Sequence, residues 1–172
     1  MISPDERYTK KRVQVKGHAM AYVEVGQGQP ILFLHGNPTS SYIWRNIMPH
    51  VEGLGRCIAP GLFGMGDSGK LPDSGPDSYC FAEHREYLDE FLVTLGVTQN
   101  VVVVVHDWGA GLGFDWANRH RDAVKGIACM EAIVRPARWE DMDENLKSFL
   151  KGVRSPAGEH MIWTCHGLVP LL

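Results

Sequence analysis

The chain has 172 residues, of which 44% are hydrophobic, and a formal net charge of −3. This length and composition predict one domain with its own hydrophobic core and exclude an intrinsically disordered protein. Lysine and arginine form no cluster in the sequence, so nucleic acid and anionic membrane surfaces are not expected as partners. The expected ligand is a small neutral or weakly polar molecule.

The four cysteines are far apart, form no C-x-x-C pair, and lie mostly in apolar runs. This pattern predicts reduced thiols with a structural role. The first residues lack the basic-then-apolar plan of a signal peptide, and no apolar run approaches the roughly 20 residues that a membrane helix needs. A soluble cytoplasmic protein without membrane contact is therefore expected.

The predicted elements begin with two short alternating runs on either side of Gly17, which indicate an antiparallel hairpin followed by a turn over residues 26–30. After this turn, short apolar runs alternate with longer segments of helical period. Those runs are Ile31–Leu34, Cys57–Ala59, Val101–Val105 and Ile127–Met130, and all four are predicted to be buried strands.

A clear amphipathic pattern begins after Asp77 and Ser78 and predicts a helix that ends near Gly96. The unbroken valine run, Val101–Val105, is typical of a strand covered on both faces, since a half-exposed strand would alternate. The alternation of strands and helices predicts an α/β fold, with a mostly parallel sheet, helices on both faces and an N-terminal hairpin.

Ligands of such sheets bind at the carboxyl ends of the strands. Asp107 follows the valine run and precedes a segment rich in small residues, which is the pattern of a nucleophile elbow with aspartate as the exposed side chain. The alternative for Asp107 is a helix N-cap. Gly109, Gly111 and Gly113 favour the elbow, because interior helix glycines are costly unless helix and strand approach closely.

Four motifs occur along the chain, at residues 35–45 (HGNPTSSYIWR), 64–68 (GMGDS), 106–109 (HDWG) and 130–132 (MEA). In both order and spacing they resemble the haloalkane dehalogenase family of the α/β-hydrolase fold, over about residues 12–162. Renilla-type luciferases, which use the same fold, share these motifs. The resemblance implies that the Asp107 carboxylate attacks a halogenated carbon and forms an alkyl ester.

The resemblance also implies that Asn37 and Trp108 donate N–H groups to the departing halide, and that Glu131 holds the histidine that activates water. Taken singly, Asn37 could be a turn residue, Trp108 a core aromatic and Glu131 a surface carboxylate. In the family the base histidine comes late in the chain, and none of the eight histidines here has that context. The hydrolytic machinery is therefore expected to be incomplete on this chain.

Residues 1–132 are expected to form the N-terminal part of the hydrolase core, truncated before the last strands, and residues 133–172 the start of a helical cap. An amphipathic helix is predicted from Trp139 onward. From Trp163 the tail no longer resembles the family, which suggests a gene fragment, a splice form or an altered reading frame. An unprotected sheet edge would then favour self-association.

Residues 64–71 match most of a phosphate-binding loop, but Leu71 replaces the hydroxyl residue and nearby prolines prevent the required helix. Nucleotide binding is therefore not expected, and neither a metal nor another cofactor is predicted because ligand spacings are lacking. Three functions remain open: a dehalogenase, a luciferase-type monooxygenase acting on coelenterazine, and a non-catalytic binding or regulatory fragment.

Overall fold

The structure is a computed structural model that describes residues 2–75 and 77–165. Six strands form one mixed sheet. They are β1 (Lys11–Val15), β2 (His18–Val25), β3 (Pro30–Leu34), β4 (Arg56–Pro60), β5 (Val101–Asp107) and β6 (Val124–Ala132). Their order is β1-β2-β4-β3-β5-β6, with β4, β3, β5 and β6 parallel to one another. The predicted fold class is confirmed.

Helices alternate with the parallel strands. The α-helices are α1 (Met48–Val51), α2 (Phe81–Thr94), α3 (Trp108–Arg119), α4 (Glu144–Val153) and α5 (Pro156–Cys165), and short 3-10 turns cover Ser41–Asn46, Arg121–Ala123 and Trp139–Asp141. Helix α2 ends beside Gly96, whose φ of +67° is readily adopted only by glycine. The predicted helix and its predicted end are therefore confirmed.

The N-terminal hairpin is present as predicted, with Val13 opposite Met20 and Val15 opposite His18 in the antiparallel pair of β1 and β2. Strand β2 also pairs antiparallel with β4, which attaches the hairpin to the parallel part of the sheet.

The core lies on both faces of the sheet. One buried cluster packs Leu34 and Val103 against Phe91 of α2 and Trp116 of α3. The other cluster includes Phe33 and, from the segment after β3, Trp44 and Met48. The valine run of β5 contributes to both clusters and is covered on both sides, as the unbroken apolar pattern predicts.

Strand β6 differs from its prediction. The run Ile127–Met130 does form a strand, but its residues are exposed rather than buried, with Ile127 43% and Met130 39% exposed. The reason is topological, because β6 is the last strand of the sheet and only β5 pairs with it among the described residues. The expectation for the cysteines is also only partly met: Cys57 is buried, whereas Cys80 and Cys129 are exposed free thiols.

The chain divides into two compact units, Met1–Val134 and Arg135–Leu172. In the second unit, the prediction that a helix begins at Trp139 is wrong. A 3-10 turn covers Trp139–Asp141, and α4 begins only at Glu144, where the Asp143 side chain caps it by accepting from the Leu146 N–H at 2.9 Å. The assignment of this unit to a cap stays a prediction.

The tail that departs from the family pattern lies mostly outside the described residues, since the description ends at residue 165. Within residues 2–75 and 77–165, no helix is both long enough and apolar enough to cross a membrane.

Candidate active site

Asp107 lies at the sharp junction between β5 and α3, with φ 52° and ψ −126°. Asp107 occupies the N-cap position of α3, but its side chain makes no capping hydrogen bond to the helix, so side-chain capping does not explain this residue. Instead, Asp107 Oδ1 accepts a hydrogen bond from the backbone N–H of Asn37 at 2.8 Å. A positive φ is costly for a residue other than glycine, and a sharp strand-to-helix turn of this kind is the geometry of a nucleophile elbow.

Glycines at two positions let the elbow form. A Cβ on Gly36 would overlap the Oδ1 of Asp107, and a Cβ on Gly109 would overlap the carbonyl oxygens of Leu34 and His35. The first glycine therefore admits the carboxylate, and the second lets α3 start directly against the end of β3.

The two other glycines of α3, Gly111 and Gly113, differ in what surrounds them. A Cβ on Gly113 would lie 2.5 Å from Val105 Cγ1, so this glycine also allows close packing of helix and strand, as the sequence predicts. A Cβ on Gly111 would meet only side chains, the nearer being Phe81 at 3.5 Å. The prediction of a close backbone approach is thus wrong for Gly111, because that residue faces α2 rather than the strands.

Asn37 and Trp108, the predicted halide donors, are both next to Asp107, the first through a hydrogen bond and the second along the chain. Asn37 lies three residues after the end of β3, is exposed, and contacts Asp107 through its backbone N–H. Trp108 is the first residue of α3 and is 45% exposed, so it is not the core aromatic that the alternative interpretation requires. Both side chains are accessible to a ligand above the end of β5.

Glu131 occupies a β-bulge. Strand pairing places His106 opposite Met130 and Asp107 opposite Ala132, so Glu131 is an extra residue between two paired positions. Its φ is 45°, and its side chain is 87% exposed. Bulges next to active sites change the direction of a side chain, and this one brings Glu131 Oε2 to 3.3 Å from His106 Nε2.

His35 and His106 flank the carboxylate, but neither is placed as its base. His35 is fully buried: its Nδ1 lies 2.9 Å from the Gly36 carbonyl, and its Nε2 accepts from the Leu62 N–H at 2.8 Å. Burial lowers the pKa of His35 to about 4, so the ring is neutral at pH 7. The buried His106 Nδ1 has no hydrogen-bond partner among the described residues, and the Nε2 faces Glu131.

The candidate site residues after β3, at the end of β5 and in β6 therefore meet only in part. The structure joins Asn37 to Asp107 and His106 to Glu131, whereas no hydrogen bond within the described part of the chain joins Asp107 to Trp108 or Glu131. Sequence reasoning missed the backbone N–H of Asn37 as the donor that orients the carboxylate. The signal available was the His-Gly-Asn sequence after a strand, in which Gly36 leaves room for the acid.

The family model described as the α/β hydrolase fold matches residues 29–155. The chain belongs to the α/β-hydrolase fold family. It is 58% identical over 153 residues to a haloalkane dehalogenase of Sphingobium indicum and 50% identical over 149 residues to one of Mycolicibacterium smegmatis. These matches cover 89% and 87% of this chain but only 52% and 48% of the relatives. The chain thus spans about half the length of these α/β-hydrolase relatives.

Solved structures of haloalkane dehalogenases also resemble this chain. A haloalkane dehalogenase from Bradyrhizobium elkani matches with a TM-score of 0.79 and 45% identity, over 90% of this chain and 53% of that one. Another, from Agrobacterium tumefaciens, matches with a TM-score of 0.78 and 35% identity, over 90% of this chain and 52% of that one. These relatives support the dehalogenase resemblance of this α/β hydrolase, and nothing among them supports the luciferase alternative.

Proposed function

We propose that this chain carries the nucleophile half of a haloalkane dehalogenase, in which Asp107 displaces halide from an alkyl halide. The observation that carries the proposal is the Asp107 elbow, where the Asn37 N–H holds Oδ1 at 2.8 Å. With one oxygen oriented by a donor, the other is free to attack a carbon in line with its halogen. The new bond joins the Asp107 oxygen to carbon, and the carbon–halogen electron pair leaves with the halide.

The leaving halide needs N–H donors near the carboxylate. The Asn37 side-chain amide and the Trp108 indole supply two uncharged donors that do not lose their protons at neutral pH. Both side chains belong to residues directly adjacent to the carboxylate site, and both are exposed to an incoming substrate. Asn37 thus has two tasks: its backbone orients the nucleophile and its side chain receives the anion.

Hydrolysis of the ester requires a base that activates water, and we propose Glu131 as the acid that orients that base. In this structure the Glu131 carboxylate faces His106 instead, at 3.3 Å. Because no hydrogen bond within the described part of the chain joins His35 or His106 to the Asp107 carboxylate, we expect the alkyl ester to persist on this chain. The reaction would then stop after one alkylation and one halide ion.

The test is intact-mass spectrometry after incubation with a short bromoalkane, together with bromide release. The folded chain should gain the mass of one alkyl group and release one equivalent of bromide. Asp107→Asn should gain none, whereas Asp122→Asn, which removes an exposed carboxylate that precedes β6, should react like the unaltered chain. An unchanged mass in a demonstrably folded sample would refute the nucleophile assignment.

Two further outcomes separate the remaining possibilities. Bromide release well beyond one equivalent would show that this chain contains its own base, and light emission with coelenterazine would support a luciferase. A folded chain that does neither and gains no adduct would be a non-catalytic fragment. A cytoplasmic location, with a small haloalkane as substrate and no nucleic acid partner, completes the proposal.

A further inference from the structure

The peptide group between Gly36 and Asn37 makes polar contacts at both of its ends. Its N–H belongs to Asn37 and donates to Asp107 Oδ1 at 2.8 Å. Its carbonyl belongs to Gly36, and the bond between the two residues is trans. A trans peptide is planar, and its N–H and C=O are directed to opposite sides. Any group that holds the Gly36 carbonyl therefore also sets the direction in which the N–H meets the carboxylate.

Three donors converge on the Gly36 carbonyl oxygen. The Thr39 backbone N lies 3.1 Å from it, the Thr39 hydroxyl oxygen 2.9 Å and the His35 Nδ1 2.9 Å. A carbonyl oxygen has only two lone pairs, so these donors use its whole capacity to accept. Hydrogen bonds to a carbonyl also polarise the peptide group and strengthen its N–H as a donor. The three contacts thus fix the direction of the Asn37 N–H and increase its polarity.

The His35 ring can make its contact with Gly36 in only one tautomer. Because a carbonyl oxygen only accepts, Nδ1 must carry the proton. The Leu62 N–H donates to Nε2 at 2.8 Å, so Nε2 must carry none. Both contacts select the same neutral ring, and the ring is fully buried. His35 therefore ties the Gly36 carbonyl to the segment after β4, without an opening for water to replace either contact.

Thr39 holds the same carbonyl from the other direction along the chain. Its N–H and its hydroxyl both reach back to Gly36 and close a short turn that contains Asn37. The hydroxyl donates to no other group among the described residues. Neither Thr39 nor His35 is hydrogen-bonded to Asp107 in the described part of the chain. Both residues therefore act on the carboxylate through one peptide group.

We propose that Thr39 and His35 are positioning residues, which orient the Asn37 N–H on Asp107 through the Gly36 carbonyl. The inference rests on the function proposed for Asp107 and adds two residues to it. Loss of the Thr39 hydroxyl leaves the peptide group freer to rotate and its N–H a weaker donor. The carboxylate then spends less time in the orientation from which it attacks carbon.

The first experiment compares substitutions of Thr39 that differ in the hydroxyl. Thr39→Val keeps the branched shape and removes the hydroxyl, whereas Thr39→Ser keeps the hydroxyl. Intact-mass spectrometry follows the rate of adduct formation with butyl bromide in each folded variant. Thr39→Val should react about threefold to tenfold more slowly, the range for one neutral hydrogen bond, and Thr39→Ser within about twofold of the unaltered chain.

Thr98→Val is the matched control for the valine substitution. Thr98 is exposed and precedes β5 at the end opposite Asp107, so this variant should react like the unaltered chain. A second variant without the hydroxyl, Thr39→Ala, should be as slow as Thr39→Val. Agreement between alanine and valine would assign the effect to the hydroxyl rather than to a change of shape.

Hydrogen exchange tests the same contact without any reaction. In proton–nitrogen NMR, protection of the Asn37 amide should fall about threefold to tenfold in Thr39→Val and be retained in Thr39→Ser. The Val103 amide, in the middle of β5, should exchange equally in all variants. A merely structural role of Thr39 would lower protection at Val103 as well. The nitrogen shifts of the His35 ring should place its proton on Nδ1.

Several results would overturn the proposal. They are an unchanged rate of adduct formation in folded Thr39→Val, an equal loss in Thr39→Ser, unchanged exchange at Asn37, and a proton on Nε2 of His35. A different result would refute only the proposed function. If the unaltered chain forms no adduct, while Thr39→Val still weakens protection at Asn37 alone, the positioning of the Asn37 N–H is supported and the alkylation is not.

Discussion

Five described residues other than glycine have positive φ, and two of them are the carboxylates of the candidate site, which lie in the neighbouring strands β5 and β6. Asp107 has φ 52° and Glu131 has φ 45°, in a region that few residues other than glycine adopt. Such strain persists only where the surroundings hold it. For Asp107 the surroundings are the adjoining glycines and the Asn37 N–H, and for Glu131 they are the strand pairs on each side of the bulge.

Gly36→Ala should strongly slow alkylation, because the new Cβ would overlap Asp107 Oδ1 and displace the carboxylate. A displacement of about 1 Å at a reacting atom costs roughly 100-fold in rate. We expect the rate of adduct formation, followed by intact-mass spectrometry, to fall by at least about that factor. Gly75→Ala is the matched control, since a Cβ there meets nothing within 4 Å, and an equal loss in both variants would contradict the explanation.

His35 should make the protein sensitive to mild acid. Burial lowers the pKa of His35 to about 4, so the unfolded chain, with its ordinary value near 6.5, takes up the proton first. The contribution of the neutral, buried His35 ring to the free energy of unfolding is fully present above pH 6.5, and it is lost as the pH falls from 6.5 to about 4. It amounts to as much as about 3 kcal/mol.

Urea unfolding between pH 7.5 and about pH 4 measures this effect, with His35→Gln as the comparison. The variant should be less stable at pH 7.5, because it cannot reproduce both contacts of the buried ring, but its free energy of unfolding should change less over the same pH range. Parallel pH profiles of the two proteins would show that other groups cause the acid sensitivity.

Among the elements, the contact between α3 and the parallel strands positions the Asp107 carboxylate. Gly109 and Gly113 on one side of α3 allow the close approach to Leu34 and Val105, while Gly111 faces Phe81 of α2. Gly109 and Gly113 are therefore required, because a Cβ at either position would overlap atoms of the strands. Gly111 is not required for this reason, although it lies in the same helix.

Gly109→Ala and Gly111→Ala should change stability in opposite directions. The first should lower the free energy of unfolding by about 1–3 kcal/mol or more, because its Cβ would overlap backbone oxygens that cannot move independently. The second should raise it by up to about 1 kcal/mol, because alanine favours the helix and its Cβ finds only ordinary contact at 3.5 Å. Thermal and urea unfolding measure both, and destabilisation of similar size in the two variants would contradict this assignment.

At the scale of the whole molecule, the chain consists of a sheet-bearing unit and a helical unit. The first, Met1–Val134, contains the six strands, both buried clusters and the Asp107 site. The second contains α4 and α5. The exposed segment around Arg138 connects elements of different units without belonging to a helix or strand.

Limited trypsin digestion should therefore cut early after Arg138 and leave a product of residues 1–138 that unfolds cooperatively. This product should still form the alkyl adduct at Asp107, because the contacts that orient the carboxylate lie within the first unit. Mass spectrometry of the digest and a thermal melt of the purified product are the measurements. Equally rapid cleavage after Arg56 of β4 or Arg85 of α2 would contradict an independently folded first unit.

Local sequence patterns were enough to predict the structural features that depend on periodicity and on neighbouring residues. The hairpin around Gly17, the end of α2 at Gly96, the buried valine strand and the elbow at Asp107 all follow from apolar spacing and glycine placement, because backbone sterics act over a few residues. The fold class follows from the alternation of these elements.

Tertiary structure alone decided which strand became an edge and which groups met. The apolar run of β6 has the composition of a buried strand, yet its exposure depends on what pairs with it, and no local pattern contains that information. The bulge at Glu131 and the bond from the Asn37 N–H to Asp107 arise from strand register and from the approach of residues 70 positions apart. Such contacts depend on the packing of the whole sheet, whereas the residues that make them were visible in the sequence.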